Sequence, residues 1–238
     1  MNRIKNQNNT PDNQLYNPLL KDKLGQRIVL ADIKKEHILP AVKFKIDELK
    51  DNLAKIIKSD KYKQLLVLSK KYSQNNNRKD LYEQAQGLFD DIVLSLENAE
   101  HALSSVWGQI SHKHSVCLDM SWEDDYSKAL ELITDFYSYY NQNESHYKIY
   151  KTFASVKQLL TPVQARLVQL VLEDFELSGV GLSIEKKDKY KKLVKELAVL
   201  SNEFEQNLTE STDAWKYVVL LKDRHKLKGL EKDVIAQA

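Results

Sequence analysis

Residues 80–107 read DLYEQAQGLFDDIVLSLENAEHALSSVW. Leu81, Ala85, Leu88, Phe89, Ile92, Leu96, Ala99, Leu103 and Val106 return at steps of mostly three or four residues. At about 100° per residue those steps keep the apolar groups on one side of a helix, whereas a strand needs alternation by two. Asp80 followed by Glu83 is a capping-box arrangement for the start of that helix. A stripe of this length, uninterrupted by proline, sets the fold class as all-α.

The same period extends in both directions. Upstream, a stripe of Val42, Ile46, Leu49, Leu53 and Ile56 begins at Pro40, and a shorter segment carries Tyr62, Leu65, Leu66 and Leu68. SQNNNR (73–78) then breaks the pattern. Downstream, Ser121 with Asp124 marks the cap of a helix expected through Tyr140. Thr161-Pro162 marks another start, since threonine caps and proline is tolerated at the first helical position. That helix, VQARLVQLVLEDFEL, is apolar over so much of its circumference that it is expected to be the most buried of the set. It stops at SGVGL, where Gly179 suits the left-handed position after a helix.

Ile184 to about Thr209 reads as a long charged helix with a stripe of Tyr190, Leu193, Leu197, Leu200, Phe204 and Leu208. Its run EKKDKYKK is expected to be a solvated face. AWKYVVLL (214–221) is β-branched and aromatic, which allows at most one short strand near 215–221. Gly229 followed by LEKDVIAQA reads as the opening of a further helix, cut off within its first turns. Only 6 Gly and 4 Pro in 238 residues fit a mostly antiparallel multi-helix array rather than many short strands. No internal repeat of solenoid length is evident. Residues 1–14, rich in Asn and Gln, read as a flexible tail, leaving 15–238 as the folded part.

Composition narrows the function. The 36 Lys and Arg stand against 34 Asp and Glu, so there is no basic excess to suggest a nucleic-acid partner. The single cysteine, Cys117, excludes an intramolecular disulfide and fits a reducing cytoplasm. The first residues have no apolar secretory core, and no stretch approaches the roughly 18 apolar residues of a membrane span. A cytoplasmic protein with no membrane partner is expected.

VWGQISHKHSV (106–116) places His112 and His114 two residues apart and close to Cys117. On a helix, positions i and i+2 point about 200° apart and cannot grip one ion; a helical pair needs partners at i, i+3 or i, i+4. A His/His/Cys group without a fourth ligand is a weak zinc signal, so no metal site is assigned. None of the other histidines, His37, His101, His146 and His225, opens the H-E-x-x-H pattern of zinc peptidases. There is no Gly-rich phosphate loop, GxSxG or Walker motif. Asp90-Asp91 and Asp124-Asp125 are sequence neighbours that diverge on a helix, hence surface charges rather than acid/base dyads. The expected catalytic, cofactor-binding and metal-binding residues of this chain are none.

The order of several blocks carries a family likeness. NPLL (17–20), EHILPAV (36–42), LENAEHALSSVWGQISHKHSV (96–116) and YYNQNESHYKIY (139–150) are followed by VLEDFELSGVGLSIEKKDKYKKLVKELAVLSNEF (171–204) and NLTESTDAW (207–215). Together, over about 15–238, they resemble the N-terminal helical region of the M3 zinc metallopeptidases, the thimet oligopeptidase superfamily, and within it the oligopeptidase A branch. DFELSGVGL with its basic helix is the most specific block, and EHILPAV the second. Two positions depart: RIVLADIKK (27–35) stands where the family tends to place Leu-Pro-x-Phe, and Phe89-Asp90 where it tends to place Trp-Glu.

The resemblance implies one helical half of a clamshell that limits access to short peptides. It also implies that the H-E-x-x-H motif, its zinc and the substrate-orienting residues belong to a C-terminal catalytic half absent from this chain. The expectation is therefore an N-terminal domain truncated at its C-terminal end, forming part of a substrate-channel wall and inactive alone. The alternative is a stand-alone helical module that binds peptides or a protein partner without cleaving them.

Overall fold

The computed structural model describes residues 17–21, 30–74, 78–116 and 120–237. The tail expected over 1–14, and Cys117, lie outside them. Contacts divide the chain into two compact units, one through Ala198 and the other from Val199. Among the described residues there is no strand, and the fold is all-α.

The central element is α1 (Lys35–Lys58), which buries Ile38, Ala41, Val42, Ile46, Leu49, Leu53 and Ile56. It starts five residues before Pro40, where the apolar stripe places its beginning. The backbone N–H of Lys34 donates to His37 Nδ1 at 3.0 Å, which closes the first turn ahead of the proline. Just upstream, Asn17 caps the short 3-10 turn Pro18–Leu20 and donates from Nδ2 to the His37 carbonyl at 2.9 Å. Leu19 is thereby held fully buried. Two sequence blocks twenty residues apart, NPLL and EHILPAV, are thus one packed unit.

Next come α2 (Asp60–Gln74) and α3 (Arg78–Phe89). A π-helical segment, Asp90–Leu94, joins α3 to α4 (Ser95–Val116) without a break. Because the helix begins at Arg78, Asp80 sits inside its first turn rather than capping it. Ile92 and Val93 in the π segment are both buried, so the apolar stripe runs on through it from α3 to α4. Then follow α5 (Glu123–Asn141) and α6 (Glu144–Ser155). Trp122, not Ser121, occupies the position before α5, and it makes no side-chain cap. α4 and α5 both pack on α1, α2 packs on α3 and α6, and α6 on the next helix. Leu103, Val106, Ile110, Ala129, Phe136, Ile149 and Phe153 fill the space between them.

α7 (Pro162–Leu177) starts as expected, with a reciprocal capping box between Thr161 and Gln164. It ends at Gly179, whose φ of 81° is left-handed. It is not the most buried helix. Only Val168 and Phe175 are buried in it, while Val163 is 80% and Leu177 78% exposed. α6 packs on α7, whose Ala165, Leu167, Val171 and Leu172 are partly buried against the core while Val163, Leu170 and Leu177 are exposed.

α8 (Ile184–Ala214) inverts the expected arrangement: it has no buried residue. Its lysines, read as a solvated face, include three that pair with acids of α5 and α6 within the first unit. Lys187 faces Glu144 at 3.8 Å, Lys191 faces Asp135 at 3.2 Å, and Lys195 reaches Asp135 at 2.8 Å and Glu131 at 3.1 Å. Its apolar stripe is exposed, Leu197 at 64% and Phe204 at 67%.

In the second unit, residues 215–220 form no regular element and pair with no strand, and a 3-10 turn spans Leu221–Leu227. A last helix, α9 (Lys232–Gln237), follows Gly229, as the sequence suggests.

Candidate functional site

The conspicuous sequence candidates do not converge. His112 is exposed near the end of α4. His114 turns the other way, donating from Nε2 to Glu123 Oε2 at 2.8 Å and stacking on Tyr126 with 3.7 Å between ring centroids. Those contacts fasten the end of α4 to the start of α5 and commit the Nε2 of His114 to a carboxylate. Asp91 is ion-paired with Lys61, and Asp124 with Lys128, so neither acidic pair forms a dyad. Among the described residues no group of three or more His, Cys, Asp or Glu side chains could hold a metal. The donor set does not fit zinc.

The residue that matters in this stretch is Lys113, between the two histidines. Its ammonium donates to the Leu30 carbonyl at 2.9 Å and to that of Ile33, and lies 4.5 Å from the Trp122 ring centroid. It satisfies carbonyls at the end of the 3-10 turn Leu30–Asp32. A lysine flanked by histidines carries no local signal for that role; its partners lie about eighty residues away.

The unusual electrostatics lie where α4, α5, α6 and α7 meet. Tyr150 on α6 donates to Glu97 Oε1 on α4 at 2.8 Å. Glu100, one helical turn further, has its carboxyl pushed up to about 7 by burial, then by the neighbouring charges of Glu97 and Asp174. Burial, with Glu100 second, pushes the Tyr137 phenol up to about 12. Tyr140 and Tyr150 are driven further in the same direction, first by burial and then by these carboxylates.

Against this group sits His146, buried among the rings of Tyr140 (4.3 Å between centroids), Phe175 (4.8 Å) and Tyr150 (5.4 Å). Neither ring nitrogen has a hydrogen-bond partner of good geometry, nor has the Tyr140 hydroxyl. Burial pulls the His146 imidazole down to about 4, only partly opposed by the Tyr140 backbone carbonyl. The helix turn that presents His146 is set by Asn143, whose side chain accepts its N–H at 3.0 Å. Gln142 Nε2 donates to the Ser178 carbonyl at 2.9 Å and so ties the SGVGL corner to the same place.

Three separated blocks, LENAEHAL, YYNQNESHYKIY and DFELSGVGL, thus form one packed cluster. It holds no nucleophile–base pair and no phosphate cradle. What it provides is position: it fixes α7 and the corner after it on the helices beneath. Beside it, Glu144, Tyr147, Lys148, Lys151 and the 179–182 corner line an open groove of about 560 Å³.

Such a fold is a helical scaffold. The family it belongs to is that of the neurolysin/thimet oligopeptidase N-terminal domain, whose model matches residues 67–187. The match takes in the cluster, the groove and the start of α8.

Among curated proteins the chain is 24% identical to oligopeptidase A of Haemophilus influenzae over 210 residues, covering 87% of this chain and 27% of that protein. It is 24% identical to oligopeptidase A of Escherichia coli over 213 residues, with the same coverage. It is also 27% identical to the probable cytosolic oligopeptidase A of Arabidopsis thaliana over 144 residues, 58% of this chain and 20% of that one. The chain therefore spans about a quarter of the length of the first two relatives. No helix among the described residues is long and apolar enough to cross a membrane.

Proposed function

We propose that this chain is the N-terminal helical domain of an oligopeptidase A-like zinc metalloendopeptidase that acts on short peptides in the cytoplasm. In this reading residues 15–238 form the domain and residues 1–14 a tail. The domain supplies part of the substrate-channel wall, while zinc, its ligands and the general base come from a separate catalytic portion. The likeness to oligopeptidase A over 87% of the chain carries the reading. The unfilled apolar side of α7 supports it, because a domain that works against another keeps such a surface.

The test replaces the matching N-terminal segment of Escherichia coli oligopeptidase A with this chain and follows cleavage of a quenched fluorescent short peptide. The chimera is expected to cleave. The chain alone is expected to cleave nothing and to retain no stoichiometric zinc after purification. Hydrolysis by the chain alone, abolished by a chelator, would overturn the division of labour. The same exposed surfaces favour a second reading, a non-catalytic peptide- or protein-binding module. Saturable binding of short peptides by the isolated chain, together with a dead chimera, would select it.

A further inference from the structure

Glu97 and Glu100 stand three residues apart on α4, so they leave the same face with Cβ atoms about 5–6 Å apart. Asp174 reaches the same place from α7, since it and Glu97 are the two charges that act on Glu100. Every charge acting on Glu100 is therefore negative. Among the described residues no lysine, arginine or histidine pairs with any of the three acids. Like charges held this close repel one another, and a cation placed among them would offset that cost.

Tyr140 is turned into the same place from α5. The residue is 1% exposed, its hydroxyl has no hydrogen-bond partner, and after burial Glu100 and then Glu97 act most strongly on it. A buried hydroxyl in that state disfavours the fold until it finds a partner. Around it, Tyr150 on α6 occupies Oε1 of Glu97, and Tyr137 on α5 is half-buried under the influence of Glu100. His146 on α6 lies 4.3 Å from the Tyr140 ring between centroids and is uncharged above about pH 4. The place is open to solvent on one side, with Glu97 and Glu100 partly exposed and Asp174 exposed.

The acceptors select the ligand. Among the described residues no three acids converge closely enough for a metal ion, whose bonds to oxygen are short. A guanidinium prefers both oxygens of one carboxylate, and Glu97 has one already committed. An ammonium has three donors that spread towards separate acceptors at hydrogen-bond distance, which suits acids from two helices and a hydroxyl from a third.

We propose that Glu97, Glu100, Asp174 and the Tyr140 hydroxyl form a binding site for a primary ammonium group, that of a lysine side chain or of a peptide N-terminus. The inference rests on this cluster alone and is independent of the peptidase reading.

Backbone amide NMR of the 238-residue chain at about pH 7.5, titrated with n-butylammonium chloride at fixed ionic strength, is the experiment. Saturable shifts are expected at residues 97–100, 137–140 and 174, with a dissociation constant on the order of 1 mM. Tetramethylammonium has the same charge and no N–H donor, and should give no saturable shift there. Glu100→Gln should weaken binding at least about tenfold and Tyr140→Phe roughly threefold, each variant first shown to keep the wild-type helical signal. Glu173→Gln, which alters an exposed acid held by Gln169 Nε2 at 2.8 Å, should leave binding unchanged. Glu100 ionises as pH rises through about 7, so binding should strengthen between about pH 5.5 and 8 in the wild type and not in Glu100→Gln. N-acetyl-lysine amide and leucine amide then distinguish the side-chain amine from the N-terminal one by which binds tighter. No saturable shift with n-butylammonium, an equal response to tetramethylammonium, a Glu100→Gln variant that binds as the wild type does, or wild-type affinity flat across that pH range would each overturn the proposal.

Discussion

Tyr150 donates its hydroxyl hydrogen to Glu97 across 2.8 Å, joining the middle of α6 to the first turn of α4 over a separation of 53 residues. The tyrosine ring is buried and the acceptor is half-buried. The bond is therefore both a link in the core and a cap on an acidic cluster. A hydrogen bond to a charged group contributes about 1.5–3 kcal/mol, less where water can replace the donor. Tyr150→Phe should cost about 1–2 kcal/mol, seen as a lower urea midpoint at unchanged slope. An unchanged midpoint would mean that water reaches Glu97 and replaces the phenol.

The cluster also predicts how stability responds to pH. Glu100 has a folded value of about 7, above its ordinary 4.5, so the folded state holds the proton more tightly than the unfolded chain. Its contribution is present below the unfolded value and is lost as pH rises to about 7. His146 works in reverse. Its folded value of about 4 lies below the ordinary 6.5, so its contribution is present above the unfolded value and lost as pH falls towards 4. Between about 4.5 and 6.5 the two slopes oppose each other. Glu100→Gln should remove the first, stabilising the chain by about 2 kcal/mol at pH 8 and little at pH 5. The remaining curve should then show the acid-side loss from His146 plainly. Parallel stability curves for wild type and variant across that range would disprove the assignment.

Much of this architecture was legible because it depends on local period. The stripe from Leu81 to Val106, the Thr161-Pro162 start and the Gly179 stop all follow from residues within a turn or two of each other. What was not legible depends on local departures from the regular helix and on partners distant in sequence. The start of α1 needs His37 to accept from Lys34, and the wider π turn at Asp90–Leu94 leaves no mark in the apolar spacing that runs through it. The stripe on α8 is helical as read, but its direction is set by Glu131, Asp135 and Glu144, more than forty residues upstream. The same holds for the cluster. His112 and His114 draw the eye by proximity in sequence, whereas Glu97, Glu100, His146 and Phe175 are brought together only by packing.

The stripe itself sets a core prediction. Leu103 is fully buried on α4, the helix that packs on α1. Truncating such a leucine removes transfer energy and leaves a cavity, together about 3 kcal/mol. Leu103→Ala should lose that amount in chemical denaturation while keeping a helical circular dichroism spectrum. Leu197→Ala, on the exposed stripe of α8, should leave the stability of the monomeric form within about 0.5 kcal/mol. A large loss at Leu197 in dilute, monomeric protein would mean that the stripe is covered within the chain.

The two glycines of the SGVGL corner separate backbone constraint from mere space. Gly179 has a φ of 81°, and a Cβ built there would come within 2.6 Å of Leu182 Cδ1 and 3.2 Å of its Cγ. An alanine therefore meets both a backbone conformation unfavourable to L-residues, costing about 1–2 kcal/mol, and a side chain that must move. Leu182 is partly exposed and can swing away, so the steric part is relieved more readily than the backbone part. At Gly181 no heavy atom lies within 4 Å of the added Cβ, and φ is not in the left-handed range. Gly179→Ala should lower stability by about 1–2 kcal/mol and loosen the Gln142–Ser178 tie, detectable as faster amide hydrogen exchange at the end of α7. Gly181→Ala should be neutral or stabilise by a few tenths of a kcal/mol, because it restricts the unfolded chain at no native cost. Gly179→Asn offers the finer discrimination. Asparagine tolerates the left-handed region but still carries a Cβ, so it should recover part of the loss if backbone strain dominates and none if the Leu182 contact does. Equal effects from alanine at 179 and at 181 would mean that the left-handed stop is not what ends α7.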